Sequence, residues 1–189
     1  SGQIKITDNS GSQTLNGITR KITINGTDVA DLISLRADTP VNQGFLGDLV
    51  VNAAAGSDGI KLSGKIFGSV TLNTAAGDDL VTSENNNVEI GGNFTYADNF
   101  NDSSLQSNSL QFNGRDYHVS GNLNVSGLTS FSMGAGSDLK VDGNLIFTGL
   151  GINSATTQLF VSFDGSSLNV SGNLNITGTP LGDSITIIP

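Results

Sequence analysis

The carboxylates best placed for chemistry in this sequence are aspartates that recur at one position of a repeated pattern. Four of them fall nine residues after the first residue of a short apolar-x-apolar segment: Asp31, Asp58, Asp79 and Asp183. If these segments stack, carboxylates in consecutive repeats lie close together and repel one another. A hard cation such as calcium, which prefers oxygen ligands, would relieve that repulsion. One hypothesis is therefore a calcium site, with Asp138 of the sequence Gly-Ala-Gly-Ser-Asp at 134–138 as a fifth candidate ligand.

A purely structural role for the same aspartates is the alternative, and the sequence favours it. An Asp that precedes a strand often accepts hydrogen bonds from nearby backbone N–H groups in an Asx-turn. In that case the protein requires no cofactor. A melting temperature that responds neither to millimolar calcium nor to a chelator would remove the calcium hypothesis.

A second candidate site surrounds the only histidine, His118. Arg115, Asp116 and Tyr117 directly precede it, and Tyr96 lies just before a long interruption of the pattern. Side chains of these types can act as base, acid and charge neutraliser, as in the polysaccharide lyases and epimerases that are built on β-helices. The alternative, which the sequence favours, is a surface corner without catalysis. No Gly-x-Ser-x-Gly sequence is present to supply a serine nucleophile.

Composition excludes several classes of function. The chain has 189 residues, no cysteine and a net charge of −9. An acidic surface repels phosphate groups and anionic lipids, so we expect neither nucleic acid as a partner nor membrane insertion. Without cysteine there is no disulfide framework and no thiolate nucleophile. The 25 glycines and the many Asn, Ser and Thr residues are typical of turns and strands, which predicts an all-β fold.

Short segments with alternating apolar residues recur along the whole chain. Gly-Asn-Leu-Asn-Val at 121–125, for example, returns as Gly-Asn-Leu-Asn-Ile at 172–176. Successive segments start 18 to 29 residues apart, and a repeat of about 24 residues with two or three short strands predicts a parallel β-helix. The eight predicted coil starts are Ile4, Ile22, Leu49, Val70, Phe94, Leu123, Leu145 and Leu174.

A second set of apolar residues supports this register, and it lies eleven residues after the starts. Its members are Leu15, Ile33, Ile60, Val81, Leu105 and Ile185. In two coils we expect the second strand to be displaced, to Leu139 and Val141 and to Leu159 and Val161. A third strand is predicted at 87–90, 117–119 and 168–170. The two longest repeats contain insertions at 97–118 and 149–158, where a solenoid often carries its function.

The recurring Gly-Asn pair is predicted to form a tight corner between strands. Gly and Asn tolerate left-handed backbone angles, and stacked Asn side chains can hydrogen-bond from coil to coil. This structural role is favoured over ligand binding for the four members of the set, Asn93, Asn122, Asn144 and Asn173.

Two resemblances follow from these motifs. The Gly-x-Asp corners resemble degenerate halves of the calcium-binding RTX nonapeptide, although here each coil has one copy instead of a tandem series. The Gly-Asn-Leu-x-Val/Ile turns and Ala-Gly-Ser/Asp-Asp corners, over nearly the whole chain, resemble the β-helical regions of large bacterial surface and secreted proteins. Filamentous-haemagglutinin-like and autotransporter-passenger-like rods are examples. This second resemblance implies an extracellular or cell-surface location and a spacer, adhesive or matrix role without catalysis.

We therefore predict a single right-handed parallel β-helix of about eight coils over residues 1–189, as a segment of a longer protein. Its expected function is that of a structural or adhesive module, and its expected partners are other copies, adjacent modules or a surface glycan. Because neither the first nor the last strand has an obvious cap, we expect either that further coils continue the solenoid or that modules stack end to end. The alternative function is a carbohydrate-active β-helix that binds or cleaves an acidic polysaccharide.

Overall fold

The computed structural model describes residues 3–8, 11–16, 20–37, 44–98, 107–114, 116–149, 158–164, 167–179 and 181–187. Within these residues the chain forms strands and no helix, and the strands stack as a β-solenoid. The strands are β1 (Gln3–Asp8), β2 (Gly11–Asn16), β3 (Lys21–Asn25), β4 (Leu32–Ala37), β5 (Asp48–Asn52), β6 (Gly59–Ile66), β7 (Val70–Thr74), β8 (Leu80–Ile90), β9 (Phe94–Asp98), β10 (Ser109–Phe112), β11 (Asp116–Val119), β12 (Leu123–Leu128), β13 (Ser130–Met133), β14 (Asp138–Val141), β15 (Leu145–Gly149), β16 (Phe160–Phe163), β17 (Ser167–Val170), β18 (Leu174–Thr177) and β19 (Ser184–Ile187).

The first strand of every coil belongs to a parallel seven-stranded sheet. Its order is β3, β5, β7, β9, β12, β15 and β18, which is the order of the strands along the chain. Seven of the eight predicted coil starts lie side by side in this sheet, so the register was predicted correctly for them. The residues of that column are Ile22, Leu49, Val70, Phe94, Leu123, Leu145 and Leu174.

The other two sides of the solenoid form one twelve-stranded sheet. The second strand of each coil contributes β4, β6, β8, β10, β13, β16 and β19. The third side consists of the later residues of β6 and β8 together with β11, β14 and β17, which confirms the predicted third strand. About five full turns result, with partial turns at the two ends, which is fewer than the eight coils predicted.

The first predicted coil is replaced by a hairpin. β1 pairs antiparallel with β2 and also antiparallel with β4, so Ile4 is not the start of a parallel coil. The segment Ile4-Lys5-Ile6 has the alternation of the true coil starts, because period two indicates a strand and not the direction of its neighbour. Ile4 is nonetheless buried, and the hairpin covers the first coil on the side of the twelve-stranded sheet.

Two assignments within the second strand were wrong. Leu110 and Phe131 pair in the column that also contains Val81, whereas Leu105 lies outside the described residues. Leu139 and Val141 belong to the third side, next to Tyr117 and Val119. The insertion at 97–118 makes the spacing ambiguous for Leu110. In the coil that starts at Leu123, only one residue separates β12 from β13, so the second strand comes earlier than the eleven-residue spacing predicts. Val161, by contrast, lies where it was predicted, beside Phe131. The predicted insertion at 97–118 contains β10 and the first residues of β11, with 99–106 and 115 outside the described residues, and the insertion at 149–158 lies outside them at 150–157.

The core is one continuous cluster of inward-facing apolar side chains. Large aliphatic residues fill the first coils, and aromatic rings fill the later ones. Phe112 stacks on Tyr117 with 4.4 Å between ring centroids, and its edge contacts Phe131 at 5.4 Å. Phe131 in turn packs against Phe147 and Phe163. Because each ring contacts rings of neighbouring coils, the packing of one coil depends on the next.

The Gly-Asn corners bond successive coils, as predicted, but through a different contact. Each Asn N–H donates to the side-chain Oδ1 of the Asn in the previous coil, at 2.8 Å, in the series Asn93, Asn122, Asn144 and Asn173. The preceding glycine is needed for space, since a Cβ at Gly121 would overlap Asn93 Oδ1. Its backbone angle is not left-handed, in contrast to Gly56 and Gly77. The corner is therefore a side-chain-to-backbone ladder.

Candidate functional site

Three of the predicted calcium ligands form a column at the corner before the second strand. Asp31 N–H donates to Asp58 Oδ1 at 2.8 Å, and Asp58 N–H donates to Asp79 Oδ1 at 2.9 Å. Each of these two carboxylates thus accepts a hydrogen bond from the backbone of the preceding coil. The structural role foreseen for these aspartates is therefore present, although the donor lies one coil away instead of within a local Asx-turn. The contact fixes the register of adjacent coils.

The same column continues with a residue that the sequence pattern did not indicate. Asn108 Oδ1 accepts from Asp79 N–H at 2.9 Å, and Asn108 Nδ2 donates to the carboxylate of Asp98. In the last coil Asp183 takes the position again, and its Oδ1 accepts from Leu159 N–H at 2.9 Å. An amide and a carboxylate are therefore equivalent as acceptors in this ladder.

Asp138 occupies a different corner, between the second and third strands. It is exposed, and its Oδ1 accepts hydrogen bonds from Ser167 N–H at 3.2 Å and Ser167 Oγ at 2.6 Å. The structure thus separates Asp138 from the other four predicted ligands. Its neighbour in the register is Asp116 of β11.

The second oxygen of each aspartate distinguishes the ends of the column from its middle. Asp31 Oδ2 accepts from Thr27 N–H at 2.7 Å, and Asp183 Oδ2 accepts from Thr179 N–H at 2.9 Å. The threonine stands four residues before the aspartate in both cases. The equivalent residues are Ala54 and Ala75 in the coils of Asp58 and Asp79. In those two coils Oδ2 is buried and accepts no hydrogen bond within the described residues.

Burial therefore governs the ionisation of the two middle carboxyl groups. Burial raises the pKa of Asp58 from 3.8 to about 6, against the opposing effect of the hydrogen bond from Asp31 N–H, and the charge of Asp79 raises it further. Burial raises the pKa of Asp79 as well. At the end of the column the hydrogen bonds from Leu159 and Thr179 lower the pKa of Asp183. One repeated position thus contains carboxyl groups that are shifted in opposite directions.

These carboxylates are not gathered into one cluster among the described residues. Calcium takes about six to eight oxygen ligands, several of them from carboxylates. Among the described residues, no three acidic or histidine side chains lie close enough together to hold a metal ion. Calcium binding by Asp31, Asp58, Asp79, Asp138 and Asp183 stays a prediction, which the response of the melting temperature to calcium tests.

The two tyrosines of the predicted polysaccharide site face the core. Tyr96 lies on the seven-stranded sheet, and its hydroxyl shares a hydrogen bond with Thr74 Oγ1 at 3.1 Å. Tyr117 lies on the third side, and its hydroxyl contacts Ser83 Oγ and accepts from Gly114 N–H. Burial raises the pKa of both phenols, which disfavours the phenolate that a base would need.

His118 points outward from the strand in which Tyr117 points inward. Its Nε2 lies 2.7 Å from Asp142 Oδ2, and Lys140 Nζ lies 2.8 Å from Asp142 Oδ1. These hydrogen bonds, from Lys140 and then His118, lower the pKa of the Asp142 carboxyl. Asp116 is exposed beside this cluster, and Arg115 lies outside the described residues. The structure therefore does not bring Tyr96, Tyr117 and His118 to one groove.

Two signals in the sequence indicate this arrangement. Alternation within the third strand places Tyr117 on the same face as the apolar Val119, which means that His118 faces solvent. The spacing Thr-x-x-x-Asp at 27–31 and 179–183 marks the aspartates whose second oxygen has a local donor. The partnership of His118 with Asp142 depends on the stacking of β11 on β14, so sequence spacing alone does not reveal it.

A different surface feature lies at the C-terminal end of the solenoid. We call it the C-terminal face, and it consists of the edge of the last coil formed by β17, β18 and β19. Core-side residues of this coil are exposed: Leu174 at 41%, Ile185 at 48% and Ile187 at 48%. Their equivalents one coil earlier, Leu145, Val161 and Phe163, are buried. Among the described residues, no strand covers this edge.

Comparisons of the chain with protein-family models, with curated proteins and with solved structures return no match. The fold therefore stands on the geometry of the chain itself. The resemblance to filamentous-haemagglutinin-like and autotransporter-passenger-like rods stays a prediction. In the part of the chain that the structure describes, there is no helix long and apolar enough to cross a membrane.

Proposed function

We propose that this chain is a non-catalytic structural or adhesive β-solenoid module of a bacterial surface or secreted protein. Its partners are adjacent modules or copies that associate with its ends, or a surface glycan. The polar side chains at the corners support the structural part of this proposal. Asn122, Asn144 and Asp58, for example, bond one coil to the next, and these contacts occupy groups that would otherwise be available to a ligand.

One observation carries the non-catalytic part of the proposal. The residues that would make the best polysaccharide site are divided between inside and outside. Tyr96 and Tyr117 are buried with bonded hydroxyls, while His118 faces solvent and pairs with Asp142. General acid–base catalysis requires acid and base within hydrogen-bonding reach of one substrate. A module whose polar groups maintain the stack is consistent with this division.

A screen of lyase activity on acidic polysaccharides, combined with a glycan array, tests the proposal. We expect no cleavage by the wild-type chain and the same melting temperature for wild type and His118→Ala. The matched control is Lys140→Ala, which removes a neighbouring outward side chain from the same cluster. Cleavage that His118→Ala abolishes and Lys140→Ala preserves would contradict the non-catalytic function. Glycan binding without cleavage would favour the adhesive role over a purely structural one.

A further inference from the structure

At the C-terminal face, no described strand packs against the outer edge of the last coil. Within the solenoid every inward side chain of one coil packs on the equivalent side chain of the next. Leu174 stacks on Leu145, and Ile185 stacks on Val161, but nothing among the described residues packs on their other side. The row of free backbone groups on β18 and β19 continues the parallel ladder that joins all earlier coils. An exposed apolar edge of this kind pairs readily with an added strand.

The two hydrogen-bond ladders determine which donor and acceptor groups a partner must present to this face. At the Gly-Asn corner each coil offers Oδ1 and the next coil supplies the N–H, so Asn173 Oδ1 is the acceptor at the end of the series. At the Asp corner the direction is reversed, because the N–H of one coil donates to the Asx side chain of the next. A partner that continues both ladders presents an N–H at the first corner and an Asp or Asn acceptor at the second. A parallel coil of the same kind meets both conditions.

The covered end of a second copy does not fit this face. At the N-terminal end β1 and β2 add two strands beyond β4, while no described strand covers β3. With strands about 4.8 Å apart, the two sheets end at levels that differ by about 10 Å. The outermost strand, β2, has the polar Gln13 on its core side, opposite Ile6, and so interrupts the apolar column. At the C-terminal face the two sheets end at the same level. This face can therefore contact the N-terminal end of a second copy on one sheet only.

Two C-terminal faces also fit each other poorly. Every Asn in the corner ladder presents its Oδ1 toward the C-terminal end of the solenoid. If the Asn173 corners of two copies met, one Oδ1 acceptor would therefore face another. The charges are unfavourable too, since residues 141–189 contain Asp142, Asp164 and Asp183 but no Lys or Arg. Like charges on both sides of the contact oppose association.

From these observations we infer that the C-terminal face docks a parallel β-solenoid coil with an uncovered edge, supplied by an adjacent module and not by a second copy of this chain. The inference rests on the proposed structural function and specifies its end-on partner. The docked coil buries Leu174, Ile185 and Ile187, places an N–H at Asn173 Oδ1, and presents an Asp or Asn side chain to the backbone N–H of Asp183. The N-terminal hairpin correspondingly prevents the chain from forming a continuous stack with itself.

The test is to supply such a coil to the intact chain. A copy of residues 134–142 followed by a copy of 121–142 is joined after residue 189, which completes the third side and adds one full coil. We expect the melting temperature to rise by about 5 °C or more and the binding of a hydrophobic dye to fall. The control has the same extension with its copies of Leu123, Val125 and Phe131 changed to Ser. An extension that leaves both readouts unchanged, lowers the melting temperature, or acts no better than the control would overturn the inference.

Sedimentation of the wild-type chain over a wide concentration range tests the exclusion of a second copy. We expect a monomer throughout. Linear polymers would show that the hairpin end accepts the C-terminal face, and a dimer that grows no further would show that two C-terminal faces pair. Either outcome contradicts the inference. The lyase screen addresses the proposed function separately, so the two can fail independently.

Discussion

The two ends of this solenoid terminate the same core in different ways. At the N-terminal end the antiparallel hairpin of β1 and β2 covers β4, and Ile4 is 0% exposed. At the C-terminal end the last coil keeps its apolar inward residues, and Ile185 is 48% exposed. Ile4 belongs to β1, the strand next to one end of the twelve-stranded sheet, and Ile185 belongs to β19, the strand at its other end. The difference is therefore in what covers them and not in their type.

This contrast shows what a cap must provide. A further parallel strand would only move the open edge outward, because it presents the same apolar residues and the same free backbone groups. The hairpin instead places β2 outermost, with Ser12, Gln13 and Thr14 exposed. Polar residues on the final strand reduce pairing with other chains. The N-terminal end is thus protected by a change of composition as well as by an added strand.

The largest expected difference between the two ends is in the stability of truncation variants. Ile4→Ala removes a fully buried side chain and leaves a cavity, so we expect it to lower the free energy of unfolding by about 2–5 kcal/mol. Ile185→Ala removes the same atoms from a half-exposed site and should cost about 0.5 kcal/mol or less. Urea denaturation of both variants, with unchanged m-values, is the measurement. Equal losses would mean that the two ends are equally covered.

The register of the coils was largely predictable, because it depends on a local property. Alternating apolar residues after a glycine corner predicted seven of the eight coil starts. The hairpin was not predictable in this way, since Ile4 and Ile6 alternate as the residues of a parallel strand do. Direction is decided by pairing with β4, whose partner residues are 27 to 31 residues away in the chain. Leu110 was missed for a related reason, because an insertion of variable length precedes it.

The candidate site was predictable only in part. The recurrence of Asp58 and Asp79 indicated a column, and alternation alone was enough to place Tyr117 inside and His118 outside. The ionisation of the aspartates was not predictable from their spacing. It depends on burial, which raises the pKa of Asp58 and Asp79, and on the hydrogen bonds from Leu159 and Thr179, which lower the pKa of Asp183. Equivalent positions in a repeat therefore need not have equivalent chemistry.

The aspartate column gives a second, smaller contrast, between the middle of the solenoid and its C-terminal end. The pKa of Asp58 is raised to about 6 in the folded chain. The unfolded chain releases this proton near the ordinary value of 3.8, whereas the folded chain holds it up to about pH 6, so stability falls as the pH rises from 3.8 to about 6. We expect the free energy of unfolding to fall by about 1–2 kcal/mol between pH 4.5 and pH 7.5, with solvent screening taken into account.

Asp58→Asn should remove most of this fall in the free energy of unfolding, because an amide does not ionise. The variant should keep the hydrogen bond, since Asn108 shows that an amide oxygen can accept it in this column. Urea denaturation at pH 4.5 and pH 7.5 measures the effect. Asp28→Asn, at an exposed position three residues after the end of β3, is the control and should retain the wild-type fall. A variant at Asp58 that keeps the full pH dependence would show that this carboxyl is not its source.

The smallest expected effect concerns Asp183, where the sign is opposite. Hydrogen bonds from Leu159 and Thr179 lower its pKa, so its contribution to stability is present above the ordinary value of 3.8 and is lost as the pH falls through the lowered pKa. Asp183→Asn keeps an oxygen for Leu159 N–H but replaces the acceptor of Thr179 N–H. We expect a loss of about 0.5–1 kcal/mol at pH 7, which shrinks as the pH falls below 4. Urea denaturation of the variant and the wild type at pH 7 and pH 3 measures this loss. If Asp183→Asn instead raised stability at pH 7, the carboxylate at the open end would behave like the buried Asp58, and the contrast between the two regions would be lost.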